Sequence, residues 1–338
     1  MNTPANLKDV AEAAGVSIST ASRALAGKTS ISEKTRSRVQ QVARELNYQP
    51  NVQARGLRSA RTNIIGLTIP SLTNPYFATM AATIQERAAA HGHTTLITTS
   101  NEDPEQLKQA IYSMSQMRVD GMIVVPSENS KSLLMNIQRA GTPVVLIDRE
   151  LPGTPLPSYA SQALPGITAA VAELTARGHT RIGYLSGPVE TSTGAQRLAA
   201  FEQICAHNGT SNDFIFRGGY DVKKGWDGAQ ALLHRGITAL IAGDSMMTFG
   251  ALDYCYQHGI NIGTDLAFVG FDDLVYMSLQ PAPISVIDQN VVAMSEHAYD
   301  GLVRLIGGAD PPDQAVVLDT TYISRASTRC TPPTTTRR

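Results

Sequence analysis

Cysteine is scarce: Cys205, Cys255 and Cys330 form an odd, scattered set without a Cys-x-x-Cys pair. Such a set supports neither a disulfide framework nor a zinc knuckle and suits a reducing cytoplasm; Cys205 and Cys255 lie in apolar helical stretches and are read as core. Long apolar runs are missing too. Residues 122–125 and 144–147 stop at Pro126 and Asp148, far short of the roughly 18–20 residues a membrane span requires, so no membrane partner is expected. Residues 1–10 lack the basic patch and apolar stretch of an export signal, which again points to a cytoplasmic chain. G-x-G-x-x-G, G-x-x-x-x-G-K and G-x-S-x-G are all absent, which removes the commonest nucleotide and hydrolase signatures of α/β chains and argues against an enzyme. His91, His93 and His179 have no i, i+4 partners, so neither a metal site nor a cofactor is expected.

Net charge is almost absent as well, at −1 over 338 residues. The near-zero total hides an asymmetry. Residues 1–63 carry ten Lys/Arg against four Asp/Glu, a balance of +6, which leaves −7 on the remainder. A basic head on an acidic body points to a polyanion for the first and a separate task for the second.

The head reads as three short helices between Leu7 and Leu46. Asn6 caps the first, with Asp9 returning the bond, and Val10, Ala11 and Ala14 share its buried face. Gly15 ends it by taking positive φ, Val16 fills the angle and Ser17 caps the next helix. That second helix, about 18–26, turns Ala21 and Leu25 inward and leaves Ile18, Ser19, Ser22 and Arg23 on its other face. The third, 32–46, places Thr35, Val39, Val42 and Leu46 inward and Lys34, Arg36, Arg38 and Arg44 largely outward. Helix, glycine turn and small-residue helix is the helix-turn-helix pattern, whose second helix enters the DNA major groove. A three-helix protein-binding domain is the alternative on charge alone. Residues 51–61 have almost no apolar face beyond Val52 and Leu57 and need a partner to fold against.

The runs Leu7-Lys8-Asp9-Val10-Ala11, Ala14-Gly15-Val16-Ser17, Thr20-Ala21-Ser22-Arg23-Ala24-Leu25 and Glu45-Leu46-Asn47-Tyr48-Gln49-Pro50-Asn51 resemble the LacI/GalR family of bacterial transcription regulators. The likeness continues over the rest of the chain. It implies that Ile18, Ser19 and Arg23 face base edges, that Ser17, Thr20, Ser22, Tyr48 and Asn51 hold phosphates, and that a hinge helix at 50–61 contributes Ala54, Leu57 and Arg58. Paired hinges of a dimer would wedge two Leu57 side chains into a minor-groove step and kink the duplex. Gly56, a poor helix former, departs from that pattern.

From Ile64 onward, apolar runs at 64–69, 94–99, 121–125, 144–147, 182–186, 240–242 and 267–271 alternate with helical stretches at 76–91, 105–117, 131–139, 167–177, 195–207, 223–234 and 246–257. Such alternation predicts parallel sheets with helices on both faces. Gly92-His93-Thr94 and Gly178-His179-Thr180 repeat at helix-to-strand junctions and suggest two similar lobes. Residues 151–157, rich in Pro and Gly, read as a crossover between lobes, and 284–289 as a return path. Ligands of open α/β sheets bind beyond the carboxyl ends of strands. Those ends carry Tyr76 and Phe77, Asp148 and Arg149, and Asp272-Asp273, a set suited to hydroxyls and apolar ring faces. Each alone has a plainer reading as a loop cap, a surface residue or a turn pair. The family resemblance adds Arg197 as the effector clamp, Tyr220 as a stacking ring and Gln289 as a hinge-side amide. Gly243, where Asn is usual, and Ser161-Gln162, in place of Asp-Asn, are departures.

The expected architecture is a small all-α helix-turn-helix head plus an α/β periplasmic-binding-protein-like body of two doubly wound parallel-sheet lobes. The head spans 1–49, the hinge 50–61 and the body 62–327, with lobe 1 at about 62–159 and 290–318, lobe 2 at about 160–289 and 319–327, and a disordered tail at 328–338. The expected function is a homodimeric repressor of palindromic operator DNA under a small sugar, sugar-derivative or nucleoside effector. Two-fold symmetry matches a palindrome, and the Pro- and Thr-rich end cannot form the leucine-repeat helix of the family's tetramers. A sugar-processing enzyme or sugar-binding protein with a DNA-binding head is the alternative. Sugar turnover would mark the enzyme, whereas salt-sensitive operator binding would mark the regulator.

Overall fold

The computed structural model describes residues 5–28, 30–48, 61–311 and 315–332, and the chain separates into two compact units, Met1–Thr62 and Asn63–Arg338. In the first, α1 (Leu7–Ala13), α2 (Ile18–Leu25) and α3 (Glu33–Glu45) enclose a small core of Val10, Ala11, Ala14, Ala21, Ala24, Val39 and Ala43. The Asn6 side chain accepts from the N–H groups of Lys8 and Asp9, while the Asp9 carboxylate accepts from the Asn6 N–H at 2.8 Å, closing the expected capping box. Gly15 has φ +63°, and Ser17 Oγ accepts from the Thr20 N–H. Leu46, read as inward, is 38% exposed because α3 ends one residue earlier and Ala43 takes the inner position. Arg36 is not a free outward charge: it pairs with Glu33 and donates to the Lys28 and Ile31 carbonyls. The hinge residues Asn51, Ala54, Leu57 and Arg58 lie outside the described residues.

The second unit holds two six-stranded sheets. Strands β1 (Ile64–Ile69), β2 (Thr94–Thr99), β3 (Gly121–Val124), β4 (Val144–Ile147) and β5 (Ser158–Gln162) are separated by α4 (Pro75–Ala90), α5 (Pro104–Gln116) and α6 (Lys131–Arg139). The second series runs α7 (Leu164–Ala176), β6 (Ile182–Ser186), α8 (Ser192–Asn208), β7 (Ile215–Arg217), α9 (Val222–His234), β8 (Ala239–Ala242), α10 (Ser245–Gln257), β9 (Ala267–Phe271), α11 (Val275–Ser278) and β10 (Ser285–Asp288). Then α12 (Val291–Ile306) and β11 (Val316–Asp319) return to the first sheet, and β12 (Thr321–Ile323) joins the second. The orders are β11-β5-β4-β3-β1-β2 and β12-β10-β9-β8-β6-β7, parallel except where β12 meets β10. The same winding thus occurs twice, as the repeated Gly-His-Thr implied; Gly92 and Gly178 both turn a helix into a strand with φ +77° and +91°. The inner strands of both sheets are buried, as helices on both faces require, whereas the outermost strands β2, β7, β11 and β12 are half-buried or exposed.

Three readings of the body need correction. Residues 151–157 are not the crossover: Leu151 and Leu156 are buried in the lobe 1 core, so the segment links β4 to β5 within one lobe. The chain passes between sheets beyond β5, β10 and β11. The small, polar β5 run Ser-Tyr-Ala-Ser-Gln had no apolar signal to mark it as a strand. Residues 284–289 are a strand inside the second sheet as well as a return path. The tail does not start at 328: Thr328 is fully buried, its Oγ1 bonded with Ser285 Oγ and Glu173, and the Cys330 carbonyl bonds the His179 ring at 3.0 Å. Cys205 and Cys255 are buried as read. Among the described residues no helix is long and apolar enough to cross a membrane, and no group of three His, Cys, Asp or Glu is placed to hold a metal.

Candidate functional site

The carboxyl ends of both sheets meet at one cleft. In lobe 1 the residue after β4, Asp148, has φ +69°; in lobe 2 the residue after β9, Asp272, has φ +65°. Each sends its N–H to the neighbouring strand, Asp148 to the Tyr159 carbonyl and Asp272 to that of Ile287, both at 2.9 Å. Aspartate tolerates this left-handed backbone better than most residues, so the two lobes present matched turns whose carboxylates line a common chamber. Asp273 takes no part there and pairs with Arg325 at 2.6 Å.

Around the pair, Asn74 caps α4 and, with Pro75 in the first turn, sets Tyr76 and Phe77 at its start. The Tyr76 hydroxyl donates to Asp148 at 2.8 Å. From α8, Arg197 donates to the Gly243 carbonyl at 2.9 Å and to Gln289 Oε1 at 2.7 Å, with its guanidinium 4.3 Å above the Phe271 ring. Gln289 in turn donates to Asp272 at 2.6 Å and accepts from Ser161 at 2.8 Å. The departure at Gly243 has a steric cause, because a Cβ there would stand 2.3 Å from the Leu185 carbonyl. Gly187 likewise leaves room for the Tyr220 ring, whose hydroxyl bonds Thr191 and Thr193 at 2.9 Å each.

Arg149 lines the same chamber and is already paired within the protein. Both terminal nitrogens are held by Glu102, at 2.5 and 2.7 Å, and the guanidinium lies 5.5 Å over Tyr220 across the cleft. Glu102 was missed, since it follows Asn101 in a plain loop; both residues have positive φ, which turns the carboxylate back toward Arg149. Asn74, Thr193, Asp244 and Ser245 also line the chamber. The Asp244 side chain caps α10, accepting from the Met247 N–H at 2.8 Å.

The chamber holds more negative than positive groups. Burial pushes the Asp272 carboxyl up to about 7, against the pull of Arg197 and the Gln289 amide. It pushes Asp244 up to about 6, against the Met247 N–H and Arg197. Burial also raises Asp148, opposed by Arg149 and Arg197. Such an array of acceptors, one buried arginine and aromatic walls is suited to hydroxyl groups and apolar ring faces.

The head presents a second surface. Ser17, Ile18, Ser19 and Arg23 are exposed, Thr20, Ser22 and Tyr48 half-buried. Ile18 stays 44% exposed although apolar, and Arg23 Nε rests on the Ser19 carbonyl at 3.2 Å, so these side chains share one face of α2.

Residues 6–51 match the family described as bacterial regulatory proteins, lacI family, and residues 62–304 match the periplasmic binding proteins and sugar binding domain of the LacI family. The chain belongs to the LacI family. It is 31% identical over 326 residues to the HTH-type transcriptional regulator DegA of Bacillus subtilis (strain 168), covering 95% of this chain and 97% of the relative. To the HTH-type transcriptional repressor CytR of Escherichia coli (strain K12) it is 30% identical, covering 98% of each. The lac repressor dimer bound to operator and the anti-inducer ONPF superposes with a TM-score of 0.85 at 27% identity, over 96% of this chain and 99% of that one. A probable LacI family regulator from Corynebacterium glutamicum, 41% identical, has a TM-score of 0.73 over 78% of this chain and 98% of its own. The protein is thus a ligand-responsive, DNA-binding transcription regulator and not an enzyme.

Proposed function

We propose that this LacI-family regulator acts in the cytoplasm as a homodimeric repressor of a palindromic operator, controlled by a hydroxylated effector of sugar or nucleoside type bound between its lobes. One observation carries the effector reading: matched strand-end aspartates from both lobes and Arg197 converge with Tyr76, Phe77 and Tyr220 on one chamber. The effector contacts proposed are these six residues with Gln289, and Arg149 acting together with Glu102. In the head, Ile18, Ser19 and Arg23 are assigned to base edges and Ser17, Thr20, Ser22 and Tyr48 to phosphates; Asn51, Ala54, Leu57 and Arg58 complete the DNA set on the family resemblance. A lac repressor dimer on its operator, similar over 96% of this chain, supports two copies acting together. Closure of the lobes on an effector supplies the difference between two states that any ligand switch needs. The test is titration of operator binding with a panel of pentoses, hexoses and nucleosides. A saturable change in operator affinity, lost in Tyr220→Ala, is the expected result; no change with any compound removes the reading.

A further inference from the structure

The chamber between the strand ends has room for only about 30 Å³. Beside it, the same cleft opens into a second space of about 760 Å³, within the range of roughly 300–1,000 Å³ typical of small-molecule sites. Arg149 and Tyr220 form the wall between the two. A ligand of monosaccharide size or larger therefore extends into the outer space, whose lining selects among ligands that all satisfy the inner one.

That lining has a distinct chemistry. Pro126, Leu151, Val189 and the Tyr220 ring give it an apolar wall, and its charged groups are Glu102, Glu128, Glu150, Glu190 and Asp221 against Arg149 alone. Arg149 is neutralised by Glu102 at 2.5 Å and stands 3.6 Å from Asp148. Lys131, close to the rim, is tied to the Pro152 carbonyl. The Arg149 side chain is 6% exposed, yet its Nε has no hydrogen-bond partner among the described residues. A cleft lined by one sign of charge between low-dielectric walls concentrates its field and draws in the opposite charge.

We propose that the effector carries a positively charged amine beside its hydroxyl groups, the amine facing the Glu150 and Glu190 rim of the outer space, and that phosphorylated sugars are rejected. The inference rests on the reading of this cleft as the effector site. A phosphate brings a charge of about −1.5 to −2 toward a lining that is already acidic, whereas an ammonium group finds its counterions in those same carboxylates.

Calorimetric titration of the full-length protein tests it with matched probes: glucose, galactose and mannose, their 2-amino-2-deoxy forms and their 6-phosphates. The expected result is that at least one amino sugar binds about tenfold more tightly than its parent, a difference of about 1.4 kcal/mol, while the matching phosphate is weakened by a similar factor. The double variant Glu150→Gln, Glu190→Gln should remove the preference for the amine and leave the affinity for the parent sugar unchanged. Parent sugars that bind while amines gain nothing, phosphates that bind as well as parents, an amine preference that survives the double variant, or no saturable binding by any probe would each overturn the proposal. A probe that binds Arg197→Lys as it binds wild type lies outside the cleft and removes the underlying reading instead.

Discussion

Arg197 has two obligations that its sequence position alone does not separate. As a clamp it should act only on ligand, but in the folded protein it also supplies the buried positive charge facing Asp148, Asp244 and Asp272 and holds the Gly243 carbonyl. Removing one partner of a buried charged network costs about 3–5 kcal/mol, so Arg197→Ala should lower the melting temperature of the ligand-free protein as well as abolish the effector response; an unchanged melting curve would return Arg197 to a ligand-only role. Asp272 gives a pH signature. Its folded value of about 7 lies above the usual carboxylate range, so the native state holds a proton that the unfolded chain gives up, and stability falls as pH rises from about 4 to about 7 and then levels. Asp244 adds a similar fall that ends near 6. Asp272→Asn should shrink the difference in melting temperature between pH 5 and pH 8, leaving the Asp244 part. In the head, Arg23 projects from an exposed face of α2, and its loss should cost roughly 1–3 kcal/mol at one base position and leave the others unaltered. Binding of every operator variant by Arg23→Ala with the affinity of the wild type would exclude it as a base reader.

At the scale of elements, the parts legible in the sequence are those whose signal is local. The capping box of Asn6 and Asp9, the turn at Gly15 and the Ser17 cap each act within four residues, and apolar runs such as 64–69 declare buried parallel strands without help from their neighbours. What escaped depends on distant partners. β5 is a strand because β4 and β11 flank it, and Glu102 joins the cleft because Arg149 stands 47 residues away with its guanidinium turned toward it. Aspartates 148 and 272 were found as residues, but their symmetry is visible only once two sheets are wound alike. Where the chain passes between lobes the packing is tight. Gly166 on α7 faces Ile287 and Thr320, and a Cβ there would lie 2.5 Å from the first and 2.7 Å from the second. Gly166→Ala should therefore destabilise the body by about 1–3 kcal/mol through overpacking, read as a lower denaturation midpoint. An unaltered midpoint would show that the connecting strands can move apart freely.

Across the whole molecule, the split between a +6 head and a −7 body separates two kinds of recognition. Operator affinity should fall steeply and linearly on logarithmic axes as salt rises, by about 10³-fold or more between 50 and 200 mM if six or more phosphates are neutralised; a flat salt response would detach the basic head from the phosphates. The order of the strands along the chain has a further consequence, for biosynthesis. The first sheet lacks α12 and β11 until residues 291–319 have been made, and the second lacks β12 and the Ser327 bond to the Phe268 carbonyl until 321–328 have followed. The head is complete within its first fifty residues and can fold while translation continues, at about 5–20 residues per second. Both lobes must wait, each with an open sheet edge, until β11 and β12 have been made. A ribosome that stalls before β11 (Val316–Asp319) would therefore release a finished DNA-reading head on a body unable to close on its effector.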